Sequence, residues 1–315
     1  MYVSILKMSL IETFTSEEKK KIATIIKPIS YATIDKEMDQ LIAIGKNAGT
    51  MSPRCRIGNN IVDYFTFVER LHTKGKYNVS FYEFLSNLDF FKQKKFIQNM
   101  FAYYERVKNA SGKKHAYVVC KEIYNISISA INIIRPLVYM EMYSRPTVKP
   151  TSILDFCAGW GGAAVAAAAL NIEKYTGIEI NFSLKKPYQE LIAFLEKKGK
   201  KPTTKIDMRF EDALHVDYSA IDYDFVFTSP PYYFIQKYEN NAIYKSKAEM
   251  DEKFYIPLFT KTFAHLKRGT YAINVCKEVY TNVLKPLFGD AMEIFSYKKS
   301  KRQNDYEEKV YVWIK

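Results

Sequence analysis

The sequence has few of the residues that build metal centres and disulfide frameworks. It holds 4 cysteines and 4 histidines, and the cysteines form neither a Cys-x-x-Cys pair nor a Cys/His cluster. No stretch approaches the roughly 18 consecutive apolar residues of a membrane span, and the first residues lack the pattern of a secretion signal. We therefore expect no metal site, no membrane contact, and a reducing, cytoplasmic location.

Acidic residues are also scarce relative to basic ones. The chain carries 47 lysines and arginines against 34 aspartates and glutamates, a formal net charge of +13. Such a surplus favours a polyanionic partner or an anionic surface, although a lysine-rich proteome would give the same charge with no partner at all. The 48% hydrophobic content of the 315 residues is enough for a large core, and the length suggests one to two domains.

The pattern of apolar residues changes along the chain. Residues 1–120 are predicted to form a helical N-terminal domain, because Thr15 to Glu18 fits a capping box and segment 81–107 has helical spacing. Nucleic-acid recognition is a candidate role for this domain. From about Ser152, short apolar runs alternate with helical stretches, which is typical of βαβ units on a parallel sheet. The predicted strands are Ser152–Phe156, Lys174–Ile180, Lys205–Phe210, Asp224–Thr228 and Thr270–Cys276, with a final hairpin of Met292–Tyr297 and Lys309–Ile314.

A glycine-rich turn follows the first predicted strand and opens a helix. In it, Gly159, Gly161 and Gly162 allow a tight turn and a close approach of the backbone to a ligand. A turn of this kind is weak evidence alone, because phosphate-binding loops look similar. However, Asp155 stands at the strand end, and no Gly-Lys-Ser/Thr motif for a nucleotide triphosphate is present in this turn.

Two further carboxylates follow the next two predicted strands. Glu179 would hold a ribose diol at the end of the second strand, and Asp212, after the third, could accept from an adenine amino group. Asp155 could accept from the ammonium group of an amino-acid moiety, directly or through water. Each carboxylate alone could equally be a helix N-cap or a surface residue. Together they suit an S-adenosylmethionine pocket better than a dinucleotide pocket.

A second motif, Thr228-Ser229-Pro230-Pro231-Tyr232-Tyr233, follows the fourth predicted strand. The Ser229 hydroxyl and the Pro230 carbonyl could accept the two protons of a base amino group and draw its nitrogen toward sp3 geometry. Consecutive prolines fix φ and have no N–H to compete, while the Tyr232 ring could stack on a flipped-out base. The alternative is a plain Pro-Pro turn followed by aromatic core residues.

These two motifs resemble those of DNA amino-methyltransferases of the adenine-N6 and cytosine-N4 type. More narrowly, Arg135-Pro136, Cys157–Gly162 and Thr228–Tyr232 are similar to segments of phage and large-virus DNA methyltransferases. The resemblance covers about residues 130–315 and implies an α/β fold with a Rossmann-like class I methyltransferase sheet. It places the catalytic domain in residues 121–315 and, for a viral protein, the host cytoplasm as location. One departure is Ala163, which stands where the family often has arginine.

The resemblance also implies which residues carry the chemistry. It assigns catalysis to Ser229, Pro230, Pro231 and Tyr232. It assigns the S-adenosylmethionine contacts to Asp155, Phe156, Ala158, Gly159, Gly161, Glu179, Asp212 and, more loosely, Arg135 near the methionine end. Serine at 229 leans toward cytosine N4 but also occurs in adenine-N6 enzymes, so both bases stay open.

The partner predicted by these features is nucleic acid. In this type of fold the loop between the last two strands opens on the active edge, so Lys299, Lys301 and Arg302 suit phosphate contacts, with Tyr233 beside the substrate. DNA is the leading substrate. An RNA methyltransferase with the same chemistry, or an inactive methyltransferase fold that binds nucleic acid as a subunit, are the alternatives.

Overall fold

The structure is a computed structural model that describes residues 10–75, 77–108, 114–146, 149–233, 240, 242–297 and 308–315. The chain divides into two compact units. We call residues 10–30 and 67–132 the helical unit, and residues 31–66, 133–233 and 242–315 the sheet unit, each within the described ranges. The α-helices in chain order are α1 (Ser16–Ile26), α2 (Tyr31–Ile44), α3 (Asn59–His72), α4 (Phe81–Ser86), α5 (Leu88–Lys92), α6 (Lys95–Lys108), α7 (Ala116–Ser127), α8 (Pro136–Ser144), α9 (Gly162–Leu170), α10 (Lys185–Lys198), α11 (Lys247–Met250), α12 (Ile256–His265), α13 (Lys277–Val279) and α14 (Lys285–Phe288).

The helical unit is held together by aromatic packing. Its core includes the buried rings of Phe81, Phe84, Phe91 and Tyr124; the Phe84 ring lies 5.0 Å from that of Phe91 and 5.6 Å from that of Tyr124, centroid to centroid. The predicted capping box forms at the start of α1, where Thr15 accepts from the backbone of Glu18 and the Glu18 carboxylate accepts in return. The predicted helical segment 81–107 consists of three helices, α4 to α6.

The sheet unit contains a seven-stranded sheet in the order β3-β2-β1-β4-β5-β7-β6. The strands are β1 (Ser152–Asp155), β2 (Lys174–Ile178), β3 (Lys205–Arg209), β4 (Phe225–Thr228), β5 (Thr270–Cys276), β6 (Glu293–Phe295) and β7 (Glu308–Ile314). β1 to β5 are parallel, whereas β7 runs antiparallel to both β5 and β6. This confirms the predicted α/β fold with its Rossmann-like sheet, including the final hairpin.

Small residues fix the helix that leaves the glycine turn. The alanines of α9 are buried all along the helix, so the helix lies close to its neighbours without bulky side chains. At its first position, a Cβ on Gly162 would lie 2.6 Å from the carbonyl oxygen of Ile134. Only glycine allows this close approach, and the start of α9 therefore lies directly against the backbone at Ile134.

Residues 31–66 group with the sheet unit, and the predicted domain boundary at residue 120 stays a prediction. α2 buries Ile34, Met38 and Leu41 and packs beside α9. A role of the N-terminal residues in nucleic-acid recognition stays a prediction. In the described part of the chain, no helix has the length and apolarity needed to span a membrane.

Candidate active site

The glycine turn follows β1 and the Pro-Pro turn follows β4, and both turns lie at the same edge of the sheet. β1 pairs in parallel with β4, so that Leu154 lies opposite Val226. The glycine turn begins at the carboxyl end of β1, and the Pro-Pro turn begins at the carboxyl end of β4. β5 is parallel to β4 on its other side, and antiparallel β7 begins at this edge, where Glu308 pairs with Cys276. Residues from several chain segments therefore meet at the carboxyl edge, where α/β folds bind ligands.

The glycine turn takes backbone conformations that favour glycine. Gly159 has φ of +56° and Gly161 has φ of +92°. A Cβ on Gly161 would lie 2.7 Å from Leu191 Cδ2, whereas a Cβ on Gly159 would meet only the carbonyl oxygen of Cys157, at 3.9 Å. Gly161 is favoured by its φ, and a Cβ there would also require the Leu191 side chain to shift, whereas a Cβ on Gly159 would meet little among the described residues.

Glu179 closes the other side of this turn. One carboxylate oxygen accepts from the Gly159 N–H at 2.8 Å, and the other accepts from the Asn181 N–H at 2.8 Å. The side chain is half-buried, and burial raises the pKa of Glu179 to about 7. An ionised carboxylate has about four acceptor positions, and contact of Glu179 with a ligand's hydroxyl groups stays a prediction.

The surroundings of Glu179 include exposed apolar side chains. Phe182 is 63% exposed, although it follows a buried strand, and its ring lies 6.5 Å from that of Phe210. Ile180 is also exposed. An exposed apolar surface of this kind suits contact with a flat apolar ring.

Asp155 occupies a different environment from the one that its position in the sequence suggests. It is fully buried; its carboxylate accepts from the Cys157 N–H at 3.2 Å and from the Tyr175 hydroxyl at 3.4 Å. Burial raises its pKa to about 6. Asp155 therefore holds the glycine turn from beneath, and a direct contact with a cofactor stays a prediction.

The other predicted cofactor residues lie around the same turn. Phe156 and Ala158 are buried, and the Ala158 N–H donates to the Ile178 carbonyl at 2.9 Å, which ties the turn to β2. Asp212 is half-exposed and accepts from the Leu214 N–H at 2.9 Å. That bond closes a local turn in which the side chain accepts from the backbone two residues on, and no helix begins there, so an adenine contact of Asp212 stays a prediction.

Arg135 has a different set of contacts from the expected one. Its guanidinium donates to the carbonyl oxygens of Pro53 and Cys55, at 2.6 and 2.8 Å, and therefore anchors the 51–58 segment against the start of α8. Burial lowers the pKa of Arg135. These bonds give the side chain a structural role, and the predicted role near a cofactor stays a prediction.

The Pro-Pro turn is fastened by a buried tyrosine. The Tyr255 hydroxyl donates to the Pro231 carbonyl and accepts from the Tyr233 N–H at 3.2 Å. Tyr233 has φ of +34°, and its own hydroxyl donates to Asp251 at 2.8 Å. The carbonyl oxygen of Pro230 accepts none of the hydrogen bonds that link the described residues, and its role as an acceptor for a substrate stays a prediction.

Behind the turn lies a polar cluster of five side chains. Its members, from four segments of the sheet unit, are Ser229, Tyr232, Asn274, Tyr297 and Glu308. The Ser229 and Tyr232 hydroxyls are 2.5 Å apart, the Tyr232 hydroxyl donates to Glu308, and the Tyr297 hydroxyl donates to the other oxygen of that carboxylate at 2.8 Å.

The Tyr232 side chain is 5% exposed. Its ring is therefore buried in this structure rather than presented as an open surface, and stacking on a base stays a prediction. Burial, and after it the charge of Glu308, raises the pKa of Tyr232 well above its usual value.

Comparison with known proteins finds likeness only to solved structures, since no protein-family model and no curated protein matches the chain. A conserved hypothetical protein of Streptococcus pyogenes is similar over 52% of this chain and 84% of its own, at 17% identity and a TM-score of 0.34. TrmN from Thermus thermophilus is similar over 56% and 48% of the two chains, at 16% identity and a TM-score of 0.40. NSun6 from Pyrococcus horikoshii, determined with SFG, is similar over 51% and 47%, at 13% identity and a TM-score of 0.36. Likeness this weak carries no argument about chemistry, and the strand order itself establishes the fold class.

Several site residues are visible only in the folded chain. No sequence motif includes Asn274, Tyr297 or Glu308, and Glu308 is 76 positions from Tyr232, from which it accepts a hydrogen bond.

The predicted basic residues Lys299, Lys301 and Arg302 lie outside the described residues. Within the described ranges, no group of three or more histidine, cysteine, aspartate or glutamate side chains could hold a metal ion.

Proposed function

We propose that this chain is a methyltransferase that uses S-adenosylmethionine and modifies the exocyclic amino group of a base in DNA. The observation that carries the proposal is the shared edge, at which the glycine turn and the Pro-Pro turn leave the adjacent parallel strands β1 and β4. Open α/β sheets bind ligands outside the carboxyl ends of their strands. The two turns therefore have the arrangement of two halves of one site.

The first half fits the proposed cofactor. Glu179, oriented by two backbone N–H groups, would accept from the ribose hydroxyls, and exposed Phe182 would cover one face of the adenine. Gly159 would let the backbone approach the ligand closely, since among the described residues a Cβ there would have only the Cys157 carbonyl oxygen within 4 Å. When bound, S-adenosylmethionine supplies an electrophilic methyl group on a positively charged sulfur.

The second half fits an amino group. The nitrogen of a base amine is a poor nucleophile, because its lone pair is delocalised into the ring. The Ser229 hydroxyl and the Pro230 carbonyl would accept its two protons, which draws the nitrogen toward sp3 geometry and points its lone pair at the methyl group. In the direct in-line attack the N–C bond would form as the C–S bond breaks, S-adenosylhomocysteine would leave, and the methylated nitrogen would lose one proton to solvent. Much of the acceleration would then come from orientation.

The DNA base is the finer part of the proposal. A target amine in a duplex must leave the base stack before it can reach such a turn. The net charge of +13 favours a polyanionic substrate, and the resemblance of the two motifs is to enzymes that modify adenine N6 or cytosine N4. Adenine N6 and cytosine N4 are both exocyclic amino groups, and either one could donate its two protons to Ser229 and Pro230.

The test is mass spectrometry of nucleosides after incubation of the chain with methyl-labelled S-adenosylmethionine and duplex DNA, single-stranded DNA or RNA. We expect the label on the exocyclic nitrogen of adenine or cytosine from DNA. A label in RNA alone would assign the RNA alternative, and a label on a ring atom would contradict the role of the Pro-Pro turn. Cofactor binding without transfer to any of the three would indicate a nucleic-acid-binding subunit.

A further inference from the structure

The polar cluster behind Ser229 contains more hydrogen-bonding groups than the Pro-Pro turn needs. Three of its members come from outside that turn: Asn274 lies in β5, Tyr297 follows β6, and Glu308 begins β7. Since β7 is antiparallel to β5, its first residue lies at the carboxyl edge, with Glu308 opposite Cys276. The sheet order thus delivers a carboxylate to the back of the proposed amine site.

The direction of the hydrogen bonds in this cluster is fixed by counting protons. A tyrosine hydroxyl has one proton, and the Tyr232 proton is donated to Glu308. In the 2.5 Å contact between the two hydroxyls, Ser229 must therefore be the donor and Tyr232 the acceptor. Because the pKa of Tyr232 is raised by burial and then by the charge of Glu308, its hydroxyl keeps this proton.

Asn274 supports the same direction of hydrogen bonding, from Ser229 to Tyr232. Its amide nitrogen donates to Ser229 Oγ at 3.1 Å and to the Tyr232 hydroxyl oxygen at 2.6 Å, and lies 3.2 Å from Glu308. The Ser229 oxygen thus has its one proton committed to Tyr232 and one acceptor position filled by Asn274. A hydroxyl has two acceptor positions, so the second is left to accept from a substrate.

We propose that Glu308 is a positioning residue that acts through Tyr232 to fix the Ser229 hydroxyl as an acceptor for the amino group of the target base. This inference rests on the proposed function. Without the carboxylate, the Tyr232 proton can turn toward Ser229, and the serine proton can then point at the substrate amine. Two donors would face each other, and the amine would lose one of its two acceptors.

A purely structural role explains the cluster less well. Asn274 is fully buried, and its side-chain oxygen accepts no hydrogen bond from the described residues. Leaving a buried acceptor unsatisfied costs stability, so an apolar residue would serve the sheet better at this position. An asparagine at this position is explained if its function is to donate N–H groups to Ser229 and Tyr232.

The test is single-turnover and steady-state methyl transfer by the full chain, with kcat and KM for the DNA measured for variants of the two linking residues. Tyr232→Phe keeps the ring but removes the hydroxyl, and we expect kcat to fall roughly 10- to 100-fold with little change in KM. Glu308→Ala should cause a similar loss. Glu308→Gln, which keeps an acceptor for the Tyr232 proton, should retain about tenfold more activity than Glu308→Ala.

The matched control is Glu293→Ala, which removes an exposed carboxylate of β6 that pairs with Arg145 and should leave kcat unchanged. Thermal unfolding and calorimetric affinity for S-adenosylmethionine separate positioning from folding, and we expect the affinity to stay within about twofold in each Glu308 variant. Wild-type kcat in Tyr232→Phe, or equal losses in Glu308→Gln and Glu308→Ala, would overturn the inference and leave the proposed function intact. A wild-type chain that transfers no methyl group would overturn both.

Discussion

Glu179, the proposed ribose-binding carboxylate, changes its affinity for a proton when the chain folds. Burial raises its pKa to about 7 from a usual value of 4.5. The folded chain therefore holds this proton more tightly than the unfolded chain does. The contribution of the carboxyl to stability is full below pH 4.5 and is lost as the pH rises through about 7.

The same shift predicts the pH dependence of cofactor binding. A positively charged ligand whose hydroxyl groups donate to Glu179 favours the ionised form, so binding near pH 6.5 should release a fraction of a proton, and binding near pH 8.5 almost none. Calorimetry in buffers of different ionisation enthalpy measures this release. Glu179→Ala should lose the release and bind S-adenosylmethionine roughly 10- to 100-fold more weakly, whereas Glu190→Ala, an exposed carboxylate on α10, should match wild type. Binding without proton release at pH 6.5 would contradict the assigned role.

A substitution at Tyr255 tests how strongly kcat depends on the shape of the Pro-Pro turn. Tyr255→Phe removes the hydroxyl that joins the Pro231 carbonyl to the Tyr233 N–H. Two buried backbone groups are then left without this partner, which should cost about 1 to 3 kcal/mol of stability, and the loosened turn should lower kcat roughly tenfold.

A matched control exists for this substitution. The Tyr223 hydroxyl donates to the Thr262 carbonyl at 2.6 Å, in a buried setting away from the turn. Tyr223→Phe should lose a comparable amount of stability in chemical denaturation while kcat stays unchanged. Equal kcat in both variants would show that the turn does not need its tyrosine anchor.

At the scale of elements, two glycines of one turn should respond differently to the same substitution. A left-handed conformation costs a residue with a Cβ about 1 to 2 kcal/mol, so both Gly159→Ala and Gly161→Ala should lower the unfolding temperature. Gly161→Ala should lose more, because the new Cβ would press on Leu191. Gly159→Ala should instead weaken S-adenosylmethionine binding by about tenfold or more, since its Cβ would enter the proposed pocket. Unchanged affinity in Gly159→Ala would move the cofactor elsewhere.

The strands and the first helices of the sheet unit were predictable because their signals are local. β1, β2, β4 and β5 are short apolar runs, and the alanine run of α9 follows glycines that mark its start. A 3-10 turn, Phe182–Leu184, precedes α10, and such a short turn has no periodic apolar pattern of its own. The π-helical segments Asp251–Tyr255 and Tyr280–Leu284 were not predicted, since one extra residue per turn barely alters the apolar spacing.

The assignment of elements to units was less predictable. The apolar stripe of α2 indicates that one face is buried, but helical periodicity does not identify the partner. The polar cluster depends on the register between β5 and β7, which places Glu308 near Asn274 across 34 positions of sequence. Side-chain contacts of this kind follow from sheet order rather than from any local pattern.

For the whole molecule, the surplus of positive charge predicts a salt-dependent affinity for DNA. Charge reversal at Lys299, Lys301 and Arg302 should weaken binding and flatten the dependence of affinity on salt, by about 0.9 in slope for each phosphate that the variant no longer neutralises. The control is reversal at Lys197, Lys200 and Lys201, which precede β3 at the opposite, amino edge of the sheet. Titration with a labelled duplex at several salt concentrations measures the affinity and its salt dependence for each variant. Equal losses of affinity in the two variants would assign DNA binding to net charge alone.

The central claim is that one turn holds the methyl donor while its neighbour holds the amine. Ser229→Ala separates these roles, because the serine belongs to the second turn only. Calorimetry and labelled methyl transfer to DNA, performed on the same preparation of this variant, should give a cofactor affinity within about twofold of wild type and a turnover reduced roughly 100-fold or more. Wild-type turnover, or loss of cofactor binding in parallel with activity, would contradict the account.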